Sequence, residues 1–137
     1  MKNWINKAVA SGGLLVCLGL SGCLFVDDDD DDVAPVGTLT VRWTIDGLRD
    51  PLDCVDFDVD RMELRLYDGG RVIDEFEPYC EDFTTTVELF DGIYDGDATL
   101  VDGFDRAVTL TEPLDSIDIV AGTDLLIEVD FPLDSFL

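Results

Sequence analysis

Aspartate is the residue type in this chain that could do chemistry. Asp56, Asp58 and Asp60 alternate along the sequence with the spacing that opens an EF-hand calcium loop. Hard oxygen donors so placed suit a divalent cation. The match stops there, because Arg61 stands where that loop needs glycine and Tyr67 where it needs a bidentate glutamate. In an extended segment the three aspartates would share one polar face, beside Phe57 and Val59. Asp91, Asp95, Asp97 and Asp102 cluster around two turns and offer further oxygens. Asp-Gly is also ordinary turn chemistry that needs no ion. Both readings stand at this level, and calcium is the one cofactor the residue types suggest. Catalysis has less to draw on. The chain has no histidine, its lysines are Lys2 and Lys7, and Ser116 and Ser135 lack a general base of the usual kind. Carboxylate pairs abound, as 32 acidic residues would give by chance. The chain reads as a non-enzyme.

The cysteines speak to location. Lys2 and Lys7 form a basic start, residues 8–20 are apolar or small and uncharged, and Ser21-Gly22-Cys23 follows. An apolar stretch of roughly 13 residues is too short to span a ~30 Å hydrocarbon core as a helix. Leu20-Ser21-Gly22-Cys23 resembles the lipobox of a bacterial lipoprotein signal. The resemblance implies removal of residues 1–22 and acylation of Cys23, with palmitate-type chains entering the bilayer. Each buried CH₂ adds ~0.8 kcal/mol, and more than one chain holds a protein stably. The expected address is the bacterial outer membrane or cell surface. Cys17 leaves with the signal, so Cys54 and Cys80 remain in a compartment that permits disulfides. A bridge between them is expected.

Charge narrows the partners. After residue 22 the chain keeps six arginines against 32 acidic residues, a formal charge of −26. Such a field repels nucleic acid. It suits cations, basic proteins or a salty medium, in which a hydrated acidic surface stays soluble. Asp27 to Asp32 form an unbroken acidic run whose self-repulsion extends the chain. The segment 23–37 is therefore expected to be a linker, and acidic runs after a lipidated cysteine also resemble surface-export signals.

The elements that must position these residues are strands. From Thr38 the apolar period is two: Leu39, Val41, Trp43 and Ile45 alternate with Thr38, Thr40, Arg42 and Thr44. Met62, Leu64 and Leu66 repeat the pattern, and Asp68-Gly69-Gly70 turns the chain. Further strands are expected over 71–76, 83–90, 93–101, 106–111 and 117–120. A closing strand carries Leu125, Ile127, Val129 and Phe131 inward. No helix is expected after the signal. The reading is all-β: residues 38–137 form a single antiparallel β-sandwich of seven or eight short strands. A membrane barrel fails because Arg42, Arg65, Glu128 and Asp130 would face lipid.

Val87-Glu88-Leu89-Phe90-Asp91-Gly92-Ile93-Tyr94, with Ala98 to Asp102 after it, resembles the strand, turn, Gly-x-Tyr, strand cadence of transthyretin-like (prealbumin-like) sandwiches. The chain from residue 37 onward also resembles uncharacterised bacterial lipoproteins. The resemblance implies a fold and leaves the ligand open. Adhesin domains of that group often carry an isopeptide bond from a lysine, and no lysine follows residue 22. The functional expectation is a membrane-anchored cell-envelope lipoprotein acting as a non-catalytic binding or adhesion module for protein or glycan. The alternative is a structural envelope or assembly component, with a structural calcium ion compatible with either.

Overall fold

The computed structural model describes residues 34–137. The expected signal peptide, Cys23 and the aspartate run lie outside the described residues. Seven strands follow: β1 (Val36–Ile45), β2 (Arg61–Asp68), β3 (Arg71–Phe76), β4 (Thr84–Phe90), β5 (Gly92–Val101), β6 (Glu112–Ile119) and β7 (Asp124–Phe131). One short helix, α1 (Pro51–Asp56), lies between β1 and β2.

The strands form two facing sheets, β4-β1-β7 and β3-β2-β5-β6, the all-β sandwich that the alternation predicts. One pairing departs from the antiparallel pattern. β1 and β7 run parallel, from Thr38 against Asp124 to Ile45 against Phe131. Alternation alone does not give strand direction, so this pair is not legible from the period.

The period-two residues bury as expected. Leu39, Val41, Trp43 and Ile45 of β1, Met62, Leu64 and Leu66 of β2, and Phe131 of β7 are fully buried between the sheets. Full burial of a large aliphatic side chain stabilises by about 1.5–3 kcal/mol. On the outer face of the first sheet the β1 threonines bond across the strands: Thr40 to Thr86 at 2.9 Å, Thr44 to Asp130 at 2.7 Å, and Thr38 to Asp124. Gly37 sits where a Cβ would stand 2.5 Å from the Val120 carbonyl, so only glycine lets β1 pass under the β6–β7 turn.

Three local expectations need correction. Asp50 caps a helix: its side chain accepts from Leu52 N at 3.0 Å, and Pro51 takes the first helical position. Asp56 therefore ends α1, and Asp58 sits at φ +60° in a turn, so the aspartates at 56, 58 and 60 do not share a strand face. The segment 106–111 is not a strand. It meets the sheet only at isolated bridges, Val101 with Ala107 and Thr109 with Phe136, because the preceding loop folds around Asp102 instead of making a tight hairpin. The last correction concerns β6, which starts at Glu112, earlier than the 117–120 expected for it.

Candidate functional site

The outer face of the four-stranded sheet carries a ladder of opposite charges. Arg61, Glu63, Arg65 and Tyr67 project from β2 between β3 and β5. Arg61 donates to Asp60 at 3.0 Å, to Glu77 at 2.9 Å, and to Asp105. Arg65 pairs with Glu63 at 2.8 Å and Glu75 at 3.0 Å. Tyr67 donates its hydroxyl to Asp97 at 2.7 Å, which raises the phenol above its ordinary pKa. Glu63 is raised above the ordinary carboxylate value, first by burial and then by Glu75, Glu77 and Asp97, with Arg65 opposing. Both guanidiniums are pushed up, by the hydrogen bonds to Asp105 and Glu75 respectively.

Glu63, Glu75 and Glu77 bring oxygens within 4.8 Å of one another, the spacing a hard cation needs. Each is already held by an arginine: Arg65 bonds the first two and Arg61 the third. The ladder thus neutralises itself. Sequence reasoning passed over it, since Glu75 and Glu77 meet Glu63 only through the β2–β3 register.

The aspartates singled out from sequence lie elsewhere. Asp56 ends α1, Asp58 occupies the turn after it, and Asp60 holds Arg61 at the start of β2. Asp91 lies in the β4–β5 turn, its N–H donating to the Pro35 carbonyl at 3.1 Å. Asp95 accepts from Ser116 N at 3.2 Å, and Asp97 accepts from Tyr67. Among the described residues, none of these six joins two other acidic groups within 4.8 Å. Asp102 is buried and fully engaged. One oxygen accepts from Phe104 N at 2.8 Å and Arg106 N at 3.0 Å, and the other accepts from the Arg106 guanidinium at 2.8–2.9 Å. The Arg106 backbone bond leads the effects that hold Asp102 below the ordinary carboxylate pKa. This is loop closure, with no oxygen left over for an ion.

The two ends of the sandwich differ. At the Ile45 end of β1, Cys54 of α1 is bonded to Cys80, 26 residues on, with the Cα atoms 6.0 Å apart. Trp43 Nε1 donates to the Cys80 carbonyl at 3.2 Å, and Phe57 packs on Phe136 with ring centres 4.5 Å apart. α1 is thereby fixed across the end of the core. Its outer side is open: Val55 is 74 % exposed, Tyr79 63 % and Phe104 80 %, with Asp58, Asp60 and Glu81 set among them. Clefts of about 280 and 360 Å³ flank Val55, reaching Phe104 on one side and Tyr79 on the other. Tyr79 and Phe104 are both visible in the sequence as aromatics near turns. Val55 joins them only because α1 exists.

At the Val36 end, Tyr94 donates its hydroxyl to the Phe90 carbonyl at 2.8 Å, across the turn that contains Gly92. Gly92 has φ +153°, which side-chain-bearing residues avoid. The Gly-x-Tyr cadence is therefore a turn in which the tyrosine reaches back to the strand it has just left, the arrangement of a tyrosine corner. Beside it a cleft of about 350 Å³ opens between β3 and β4, lined by Val36, Ile73, Leu89, Phe90 and Tyr94 with Asp68, Asp74 and Glu88 among them.

No family model matches the chain, and no curated protein matches it either. Among solved structures it is similar to a DUF3823 family protein from Parabacteroides merdae, with 24% identity, a TM-score of 0.43 and coverage of 72% of this chain. The chain spans 46% of that protein's length.

Proposed function

We propose that this chain is a lipid-anchored lipoprotein of the bacterial outer membrane or cell surface, acylated at Cys23. Its transthyretin-like sandwich is a non-catalytic binding or adhesion module. The observation that carries the reading is the exposed apolar end built by Val55, Tyr79 and Phe104. Exposed aromatic and apolar side chains bordering two clefts with acidic rims favour recognition over simple solvation. Its position supports the same reading. The chain enters the domain at Val36, whereas α1 lies beyond Ile45, at the other end of the ten-residue strand β1. At about 3.3 Å per residue, that strand separates the two ends by roughly 30 Å. The exposed end built by Val55, Tyr79 and Phe104 is thus the one farther from the point where the chain enters the domain. The partner is a protein or glycan surface that offers apolar or stacking groups, and the acidic field favours a basic one.

Site-specific photo-crosslinking on intact cells tests this. A crosslinker at Val55 or Phe104 should yield one discrete adduct, while a crosslinker at Asp118 yields none. Absence of any adduct at the α1 end would overturn the binding role. Intact mass of the native protein should show residues 1–22 missing and acyl chains on the new N-terminus. A chain that retains residues 1–22 refutes the anchor.

A further inference from the structure

The geometry points to the open edge of β4 as an acceptor for an extended, cationic peptide strand from a partner. β4 is an edge strand, paired on one side only, with β1. Trp43 N donates to the Phe83 carbonyl and Asp91 N to the Pro35 carbonyl, both at 3.1 Å, which fixes the phase of the ladder. Antiparallel strands alternate bonded and non-bonded pairs. The odd-numbered residues of β4 therefore bond β1, and the N–H and C=O groups of Thr84, Thr86 and Glu88 point to the open side. No backbone bond to them from elsewhere is found among the described residues.

Two of the other three edges are guarded. β3 is interrupted by a bulge opposite Leu66 and Tyr67, and Asp74 bonds the Glu75 N–H. β6 carries Pro113 and faces a bulge at Tyr94–Gly96. The C-terminal segment bonds residues 108–110, through Leu110 N to the Ser135 carbonyl at 2.7 Å and Leu137 N to the Val108 carbonyl at 3.0 Å, and leaves the outer side of β7 uncovered by backbone bonds among the described residues; no cleft like the one beside β4 is found along it. β4 has seven residues in unbroken register, without proline, bulge or lysine, so it lacks the usual devices that blunt an edge.

An added strand would find a floor as well as a ladder. The cleft beside β4 lies between the two sheets, and its apolar lining sits where alternate side chains of the newcomer would point. Charge selects the occupant. Glu88, Asp68 and Asp74 border the cleft, and residues 34–137 carry six arginines against twenty-six acidic residues, a net −20. A second copy of this chain would bring the same charge to the same rim, which disfavours self-pairing. A strand alternating basic and aliphatic residues satisfies the edge, the floor and the rim together.

The test uses the full chain in detergent and a capped octapeptide of alternating lysine and valine. Binding should slow amide hydrogen exchange at Thr84, Thr86 and Glu88 at least about tenfold, since those N–H groups become bonded. The same peptide N-methylated on alternate amides keeps its charge but cannot pair, and it should leave those three positions unchanged. Glu88→Lys should weaken the lysine–valine peptide severalfold without lowering the melting temperature of the free protein. Equal binding by the N-methylated peptide, or by a glutamate–valine counterpart, would overturn the inference. So would binding that leaves exchange at Thr84, Thr86 and Glu88 unaltered, or no binding at millimolar peptide.

Discussion

Tyr94 and Asp102 each secure a turn with side-chain hydrogen bonds, and each can be tested by one substitution. Tyr94→Phe removes the bond to the Phe90 carbonyl while keeping the ring in the core. The expected cost is about 1 kcal/mol, read as a lower urea midpoint at unchanged slope. Asp102 titrates below its ordinary value of 3.8 because Arg106 and Phe104 donate to its ionised form. Its stabilisation is therefore present above that value and is lost as pH falls through the depressed one. Asp102→Asn should lower the urea midpoint at pH 7, and the gap from the natural protein should shrink in acid. A gap that stays constant with pH would remove the charge from the explanation. Glu63 has the opposite sign. Raised above 4.5 by burial, it favours the fold at low pH and loses that contribution as pH rises through the raised value.

At the scale of elements, α1 depends on its covalent tie. Six residues are too few for a helix to hold itself in water. The Cys54–Cys80 bond spans 26 residues, worth roughly 3–4 kcal/mol in the chain-entropy model. Reduction should lower the unfolding free energy by that order, read as a lower urea midpoint with Trp43 fluorescence followed with and without reductant. An unchanged midpoint would mean that the core alone holds α1. How much of this was legible varies by element. The inward residues of β1, β2 and β7 follow from alternation, because one-sided burial imposes a period of two. The pairing of Cys54 with Cys80 follows from cysteine arithmetic once Cys17 and Cys23 are set aside. α1 was masked by the alternating aspartates at 56, 58 and 60, although Asp50-Pro51 is a helix start that local rules can find. The glutamate–arginine ladder and the β4 edge depend on strand register and on which strands end a sheet. Those are properties of the assembled fold, and no window of sequence contains them.

For the molecule as a whole, charge sets the conditions of stability. A domain with net −20 across residues 34–137 repels itself in dilute buffer. Raising potassium chloride from 0.1 to 1 M shortens the Debye length from about 10 to about 3 Å. The melting temperature should climb over that range and then level off. A flat or falling curve would show that the paired arginines already cancel the repulsion. The Arg61 and Arg65 clusters are partly shielded and should contribute less to the salt response than the exposed aspartates do.

The parallel β1–β7 pair has a consequence for how the chain is made. Among the described residues β1 is the first strand and the middle strand of its sheet, while one of its two neighbours, β7, is the last. Until Asp124 to Phe131 has left the ribosome, Leu39, Val41, Trp43 and Ile45 have an open flank. Sheet closure thus waits for β7, and such distant pairing is slow.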